Sequence, residues 1–325
     1  MRSPAFVRLL AQTHLVIASP DSEETLIGGQ AVIEGVMMRC PHSYCVAVRR
    51  ADGGLATEQA PLAKPSEQYP ALGWPVLRGL GMLGQALWLG MKALRFSANV
   101  ALPEDETRGK QAEISGWVMA LNLVLSLGFF IFLYKFVPLY LATRLGDWTP
   151  ALAGRVVFNL VDGLIRIALF VAFLWLISRW KDMRRVFEYH GAEHRVVFNY
   201  ESGQPLSVEN ARRFSTLHPR CGTSFLMVVM LVSIAGYTLL PFESFGWRFA
   251  SRVLLLPLVA GVSYELIRAA ARGRRRWLWA VTAPGLWLQR ITTRPPCDEQ
   301  TAVAIRALEG ALELEKAQGG ELVIA

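Results

Sequence analysis

Long apolar runs alternate with basic connections along most of this chain. A helix needs about 20 apolar residues to cross a bilayer core about 30 Å thick. Four segments come near that length: 114–134, 164–180, 224–240 and 252–268. The first is followed by Lys135, which can snorkel toward head groups. At the start of the second, Asp162 and Arg166 sit one helical turn apart and can neutralise each other. The third stops at Pro241, and the fourth carries Glu265 near its end. Two further stretches, 73–96 and 277–290, are too interrupted to span, the second by Pro284-Gly285. They predict interfacial or re-entrant helices with Trp at head-group depth. A buried soluble helix is an equal reading of the first.

Before these segments the period changes. "QAVIEGVMMR" and "YCVAVRR" read as strands, and "ADGGLA" supplies residues that tolerate a hairpin turn. After Pro295-Pro296, "DEQTAVAIRALEGALELEK" reads as a soluble helix. Asp298 can cap it, and Ile305, Leu308 and Leu312 share a face. The fold predicted is mainly α: a polytopic helical membrane protein with about four spans. Its parts are an N-terminal segment (1–25), a small cytoplasmic β unit (26–70), an interfacial segment (71–113), a membrane domain (114–272) and a C-terminal segment (273–325). The membrane domain carries a long loop, 179–223.

Composition agrees. Of 325 residues, 53% are hydrophobic and 18% charged, and the mean hydropathy is +0.31. That excludes an ordinary soluble protein. The stretch 6–18 is interrupted by polar residues and followed by "DSEE", so no secretory signal is expected. The net charge of +8 is gathered beside the apolar segments. Loop 179–223 and the "RGRRR" run are rich in arginine, whereas "LATRLGDWTPALAGR" and "PFESFGWRFASR" hold two each. Positive-inside topology then places both termini and the long loop in the cytoplasm, at the inner membrane. The expected partners are anionic lipid head groups, with no nucleic acid, since no basic groove interleaved with aromatics is visible. The four cysteines, Cys40, Cys45, Cys221 and Cys297, read as free thiols rather than a disulfide framework.

The candidate chemistry lies in the long loop. "EYHGAEH" contains H-x-x-E-H: on a helix, His190 and His194 face the same way and can share one metal ion. Glu193 stands beside them, where the inverted motif of zinc peptidases puts the general base toward water. "STLHPRCGTS" adds His218 and Cys221, both zinc-type ligands, with His218 expected to complete the set and Cys221 or Glu265 as alternates. Glu265 joins as a costly membrane carboxylate that is either a ligand or the partner of Arg268. The expected cofactor is a divalent metal, zinc above all. A straight helix puts His190 about 16 Å beyond Arg179, so reaching Glu265 requires a bend at Gly191. Arg220 or Arg195 can stabilise an oxyanion. Cys40, His42 and Cys45 read as ordinary residues at a strand end. Glu34 reads as a buried strand glutamate, functional or paired with Arg39 or Arg78. "GLGMLG" lacks the G-K-[ST] of a phosphate loop.

"GGQAVIEGVMMR", "EYHGAEHRVVFNYESG", "FSTLHPRCGTSFL", "SYELIR" and "PGLWLQRITTRPPCDEQTAVAI" together resemble the bacterial YqhQ-like membrane proteins. The resemblance implies a multi-pass protein with metal-dependent chemistry, its activity unsettled. Cys40 stands where the family pattern leads one to expect glycine. The function expected is a metal-dependent hydrolase, peptidase-like, at the cytoplasmic membrane face. The alternative is a non-catalytic scaffold or assembly factor that binds a membrane-protein partner, with a structural metal or none. A transporter is disfavoured, because the spans hold few polar residues.

Overall fold

The computed structural model describes residues 27–101, 116–272 and 278–318. The expected segment 1–25 and most of the "RGRRR" run lie outside them. Four strands, β1 (Gly28–Val32), β2 (Gly35–Arg39), β3 (Ser43–Arg49) and β4 (Leu55–Pro61), form an antiparallel meander in that order. "QAVIEGVMMR" is thus two strands rather than one. The chain reverses at Ile33-Glu34, where Glu34 takes a φ of 53°. The turn carries Glu34 away from Arg39 and Arg78. Its carboxylate instead pairs with Arg185 and accepts a 3.3 Å hydrogen bond from the Tyr189 hydroxyl.

The longer helices among the described residues are α1 (Leu77–Ala101), α2 (Gly116–Ile131), α3 (Val137–Trp148), α4 (Arg155–Ile177), α5 (Lys181–Glu201), α6 (Gly222–Thr238), α7 (Phe245–Leu254), α8 (Leu256–Arg272), α9 (Leu278–Thr292) and α10 (Asp298–Ala317). The sheet lies between two helical layers. Val36, Met38, Cys45 and Ala47 on one face meet Tyr189 and Val196 of α5 and Ala304 and Leu308 of α10. Val32, Met37, Tyr44 and Val46 on the other meet Leu89 and Ala93 of α1. Each large apolar side chain fully buried there contributes roughly 1.5–3 kcal/mol. Ile305, Leu308 and Leu312 do share the buried face of α10. The N-cap of that helix is Cys297, while Asp298 pairs with Arg212. Loop residues 181–201 are therefore a continuous helix that belongs to the core around the sheet.

Among the described residues, two helices, Val124–Trp148 and Arg155–Ile177, are long and apolar enough to cross a membrane, and α7 with α8 makes a third if the bent pair is one span. Their flanks expose Leu125, Phe129, Phe132, Leu160 and Leu164. The boundaries differ from those expected. The first does not end at Lys135 but passes through a π turn, Phe132–Phe136, into α3. The second starts at Arg155, since Val156, Val157 and Leu160 extend its apolar run. The fourth bends by 50° between α7 and α8. Pro257 follows the bend and has no N–H with which to continue the α7 ladder. By contrast, α9 runs unbroken through Pro284, and Gly285 lets it approach α6: a Cβ there would lie 2.5 Å from the Ser224 Cα.

Lys135 does not snorkel. It is buried, with its ammonium 3.3 Å from the Tyr237 hydroxyl. Beside it, Arg166 donates to Asp162 at 2.5 Å, to the Ser233 hydroxyl at 2.8 Å and to the Tyr134 carbonyl at 3.1 Å. Arg252 reaches the same Asp162 oxygen at 3.4 Å and Asn159 at 2.9 Å. The pair read from sequence is thus a network of three cations around one carboxylate among the described residues.

Candidate metal centre

The helix α5 puts His190 and His194 on adjacent turns, with ring centroids 4.5 Å apart. Each ring is fixed from behind. His190 Nδ1 lies 2.8 Å from the Thr292 carbonyl, and His194 Nδ1 lies 2.5 Å from the Thr216 carbonyl. A carbonyl can only accept, so both Nδ1 atoms donate and each Nε2 is directed the other way, as in metal-ligating histidines. Thr292 closes α9, and the segment that follows it is laid against α5 at Gly191. A Cβ at Gly191 would come within 2.0 Å of the Arg294 carbonyl, and the Arg294 N–H donates to the Phe187 carbonyl. Gly191 therefore permits close packing, and no bend occurs there.

Cys221 arrives from the N-cap of α6. Its Sγ lies 3.2 Å from His190 Nε2 and 3.2 Å from the Thr223 hydroxyl. The ligating atoms of His190, His194 and Cys221 all lie within 4.8 Å of one another. This donor set suits zinc, and three protein ligands leave one position open. Among the described residues the buried His194 Nε2 makes no hydrogen bond, and Glu193 Oε2 stands 3.4 Å from it. A buried nitrogen without a hydrogen bond is costly unless something else ligates it, so the residues fit a metal ion.

The remaining candidates divide. His218 is buried next to this group, its ring centroid 5.6 Å from that of His194. Its backbone is held by Gln289, which accepts from His218 N at 2.7 Å and donates to the His218 carbonyl at 2.8 Å. Its Nε2 lies 3.5 Å from Glu201 rather than in the three-residue group. Glu193 is also buried, with Oε2 3.4 Å from His194 Nε2. Glu265 is not brought here. Arg78 holds its carboxylate, and the Val76 N–H donates to it at 3.3 Å, so its near partner is Arg78 rather than the group around His190 and His194. Arg220 lines the cavity and pairs with Glu201, while Arg195 is not among the lining residues. Cys40 and Cys45 are buried thiols, pushed up to about 12 and about 11 chiefly by burial, and His42 pairs with Glu67 and Glu315.

The group opens on a cavity of about 340 Å³ lined by Gly28, Gly29, Gln30, Ala31, Glu193 and Leu226 among others. Burial acts against the charged forms of Cys221 and His190. Their mutual attraction overrides it: the imidazoles of His190 and His194 hold the Cys221 thiol well below its usual value, and the thiolate raises His190 to about 9. Burial lowers His218. A lowered thiol pKa keeps the charge as pH falls toward that pKa. In metal-free protein, iodoacetamide should therefore label Cys221 at pH 6 nearly as fast as at pH 8, and added zinc should protect it. An ordinary thiol slows about tenfold per pH unit below its pKa; that slope at Cys221 would contradict the ion pair.

Comparison with known proteins adds a family. Residues 74–314 match the family described as "Protein of unknown function (DUF1385)". The chain is also 36% identical over 299 residues to "Uncharacterized protein YqhQ" of Bacillus subtilis (strain 168), covering 89% of this chain and 92% of that protein. The chain belongs to this family. No solved structure matches it. The family match includes His190, His194, Cys221 and Glu193, but begins after the sheet whose β1 walls the cavity. Sequence reasoning missed Gln289, the carbonyls of Thr216 and Thr292, and Gly29. Carbonyls leave no mark in a sequence. Gly28-Gly29 at a strand start did, since such glycines signal a close approach.

Proposed function

We propose that this protein is a metal-dependent hydrolase, peptidase-like, working at the cytoplasmic face of the inner membrane. What supports the reading above all is the convergence of two imidazoles and one thiolate beside a buried glutamate in an open cavity. A zinc ion held by His190, His194 and Cys221 would supply Lewis acidity toward a carbonyl and toward water. The protein's own groups do the rest. Thr216 and Thr292 orient the imidazoles. Glu193 takes a proton from water as its oxygen adds to the peptide carbonyl, and returns that proton to the amine as the C–N bond breaks. The Arg220 side chain at the cavity wall offers charge to the carbonyl oxygen.

The membrane reading is finer than the helix count. We take α2 with α3, α4, α6, and α7 with α8 as four spans, with both termini in the cytoplasm. Cys221 at the start of α6 then lies where that span leaves the membrane. A second reading rests on the same 3.2 Å contact between Cys221 and His190. A thiolate at a helix N-terminus beside an imidazole is also a nucleophile. The two readings part on metal content.

Glu193→Gln tests the role of the base. The variant should keep its zinc and lose cellular function by at least about 100-fold, in the range of general acid–base contributions. A complementation assay in a deletion strain, with metal analysis of the purified variant, measures both. Full function with full metal would leave the metal as a structural staple in a scaffold.

A further inference from the structure

β1 is the outer strand of the sheet, and the cavity runs along it. The ladder tells which of its peptide groups are used. Arg49 N donates to the Glu34 carbonyl and Cys40 N to the Ser43 carbonyl. Glu34, Val36, Met38 and Cys40 therefore turn their peptide groups toward β3, and Gly35, Met37 and Arg39 turn theirs toward β1. The register pairs these last three with Val32, Gln30 and Gly28. The N–H and C=O groups of Gly29 and Ala31 then point out of the sheet. No hydrogen bond from any described residue reaches them. Both residues line the cavity. Gly29 also stands against the candidate base: a Cβ there would fall 2.7 Å from Glu193 Cγ.

We infer that the substrate is an extended polypeptide that adds to the edge of β1. It hydrogen-bonds the outward peptide groups of Gly29 and Ala31 and brings its scissile carbonyl to Glu193. This rests on the hydrolase reading and supplies its substrate class. Gly29 and Ala31 are two residues apart, which is the repeat at which one strand presents bonding groups to another, about 6.8 Å. Main-chain bonds of this kind give affinity without demanding a particular sequence. Gly29 puts no side chain between the edge and Glu193. A proline at Ala31 would remove an outward donor and spare the ladder to β2, the placement that edge strands tolerate.

The test uses full-length protein in detergent, loaded with cobalt(II), and follows the metal's visible absorption. Three probes are titrated: acetohydroxamate, succinyl-trialanine hydroxamate, and the same peptide methylated at every backbone amide. The trialanine probe should bind at least about tenfold tighter than acetohydroxamate, a gap of one decade in Kd. Methylation should erase that gap. Ala31→Pro should erase it too, with acetohydroxamate affinity unchanged. If acetohydroxamate binds and the two peptides bind no better, the edge is not the substrate site, although the metal centre stands. If no probe perturbs the spectrum, the metal centre fails and the inference with it. The methylated peptide makes the decision on wild-type protein, even where Ala31→Pro does not fold.

Discussion

On the proposed reading the wild-type protein purified in detergent should retain zinc in a 1:1 ratio, and His194→Ala should lack it. His194 is the most deeply placed of the three ligands, and its Nδ1 is committed to the Thr216 carbonyl at 2.5 Å. Its Nε2 is therefore held in place before any metal arrives. Replacing groups that only orient a ligand costs about 10–100-fold in metal affinity. Removing the ligand itself should cost more, at least about 1000-fold, enough to empty the site during purification. His190→Ala should behave alike. His42→Ala should not, because His42 pairs with Glu67 and Glu315 and is not in the three-residue group. Equal zinc in wild type and both ligand variants would remove the centre as drawn. Thermal unfolding recorded beside the metal assay separates loss of metal from loss of fold.

The second large effect lies in the helices. Asp162→Ala should destabilise the protein by about 3–5 kcal/mol, the usual cost of removing one partner from a buried ion pair. Arg166 and Arg252 share the same carboxylate oxygen, and all three side chains are almost completely buried. Without Asp162, two guanidinium groups keep only neutral acceptors: Ser233, Asn159 and the carbonyls of Tyr134 and Arg248. The exposed side of the same helices is apolar and the site is buried, so water cannot replace the lost carboxylate cheaply. Thermal unfolding in detergent, Asp162→Ala against Asp147→Ala, measures the difference. Asp147 is an exposed residue paired with Arg144, and its loss should change little. Equal midpoints for the two variants would show that Asp162 does not hold the network together.

Some of this architecture was legible in the sequence. The small sheet, the C-terminal helix and the apolar segments follow from hydrophobic period alone. His190 and His194 follow from their spacing of four, which any helix would align. Cys221 entered as a ligand type at a turn, and the structure brings it to the two histidines. Glu265 was misplaced for a physical reason. A carboxylate at a helix end needs a partner, but a sequence does not say which of many arginines supplies it. The supplier is Arg78, 187 residues away. Lys135 failed in the same way: a lysine after an apolar run resembles a snorkelling anchor, and only the packing of α6 and α7 shows it turned inward. The loop 179–223 looked like a polar connection beside the membrane. Its apolar positions, Tyr189, Ala192, Val196 and Val197, are in fact one face of a core helix. They were masked by the charged residues between them.

The central claim is that one metal ion sits between His190, His194 and Cys221 with a position left open. X-ray absorption at the zinc edge of the purified, zinc-loaded protein tests it most directly. The expected shell is one sulfur at about 2.3 Å and three nitrogen or oxygen atoms at about 2.0–2.1 Å. One of those three should be exchangeable for a hydroxamate. A shell without sulfur, or one with two or more, would contradict the centre proposed here.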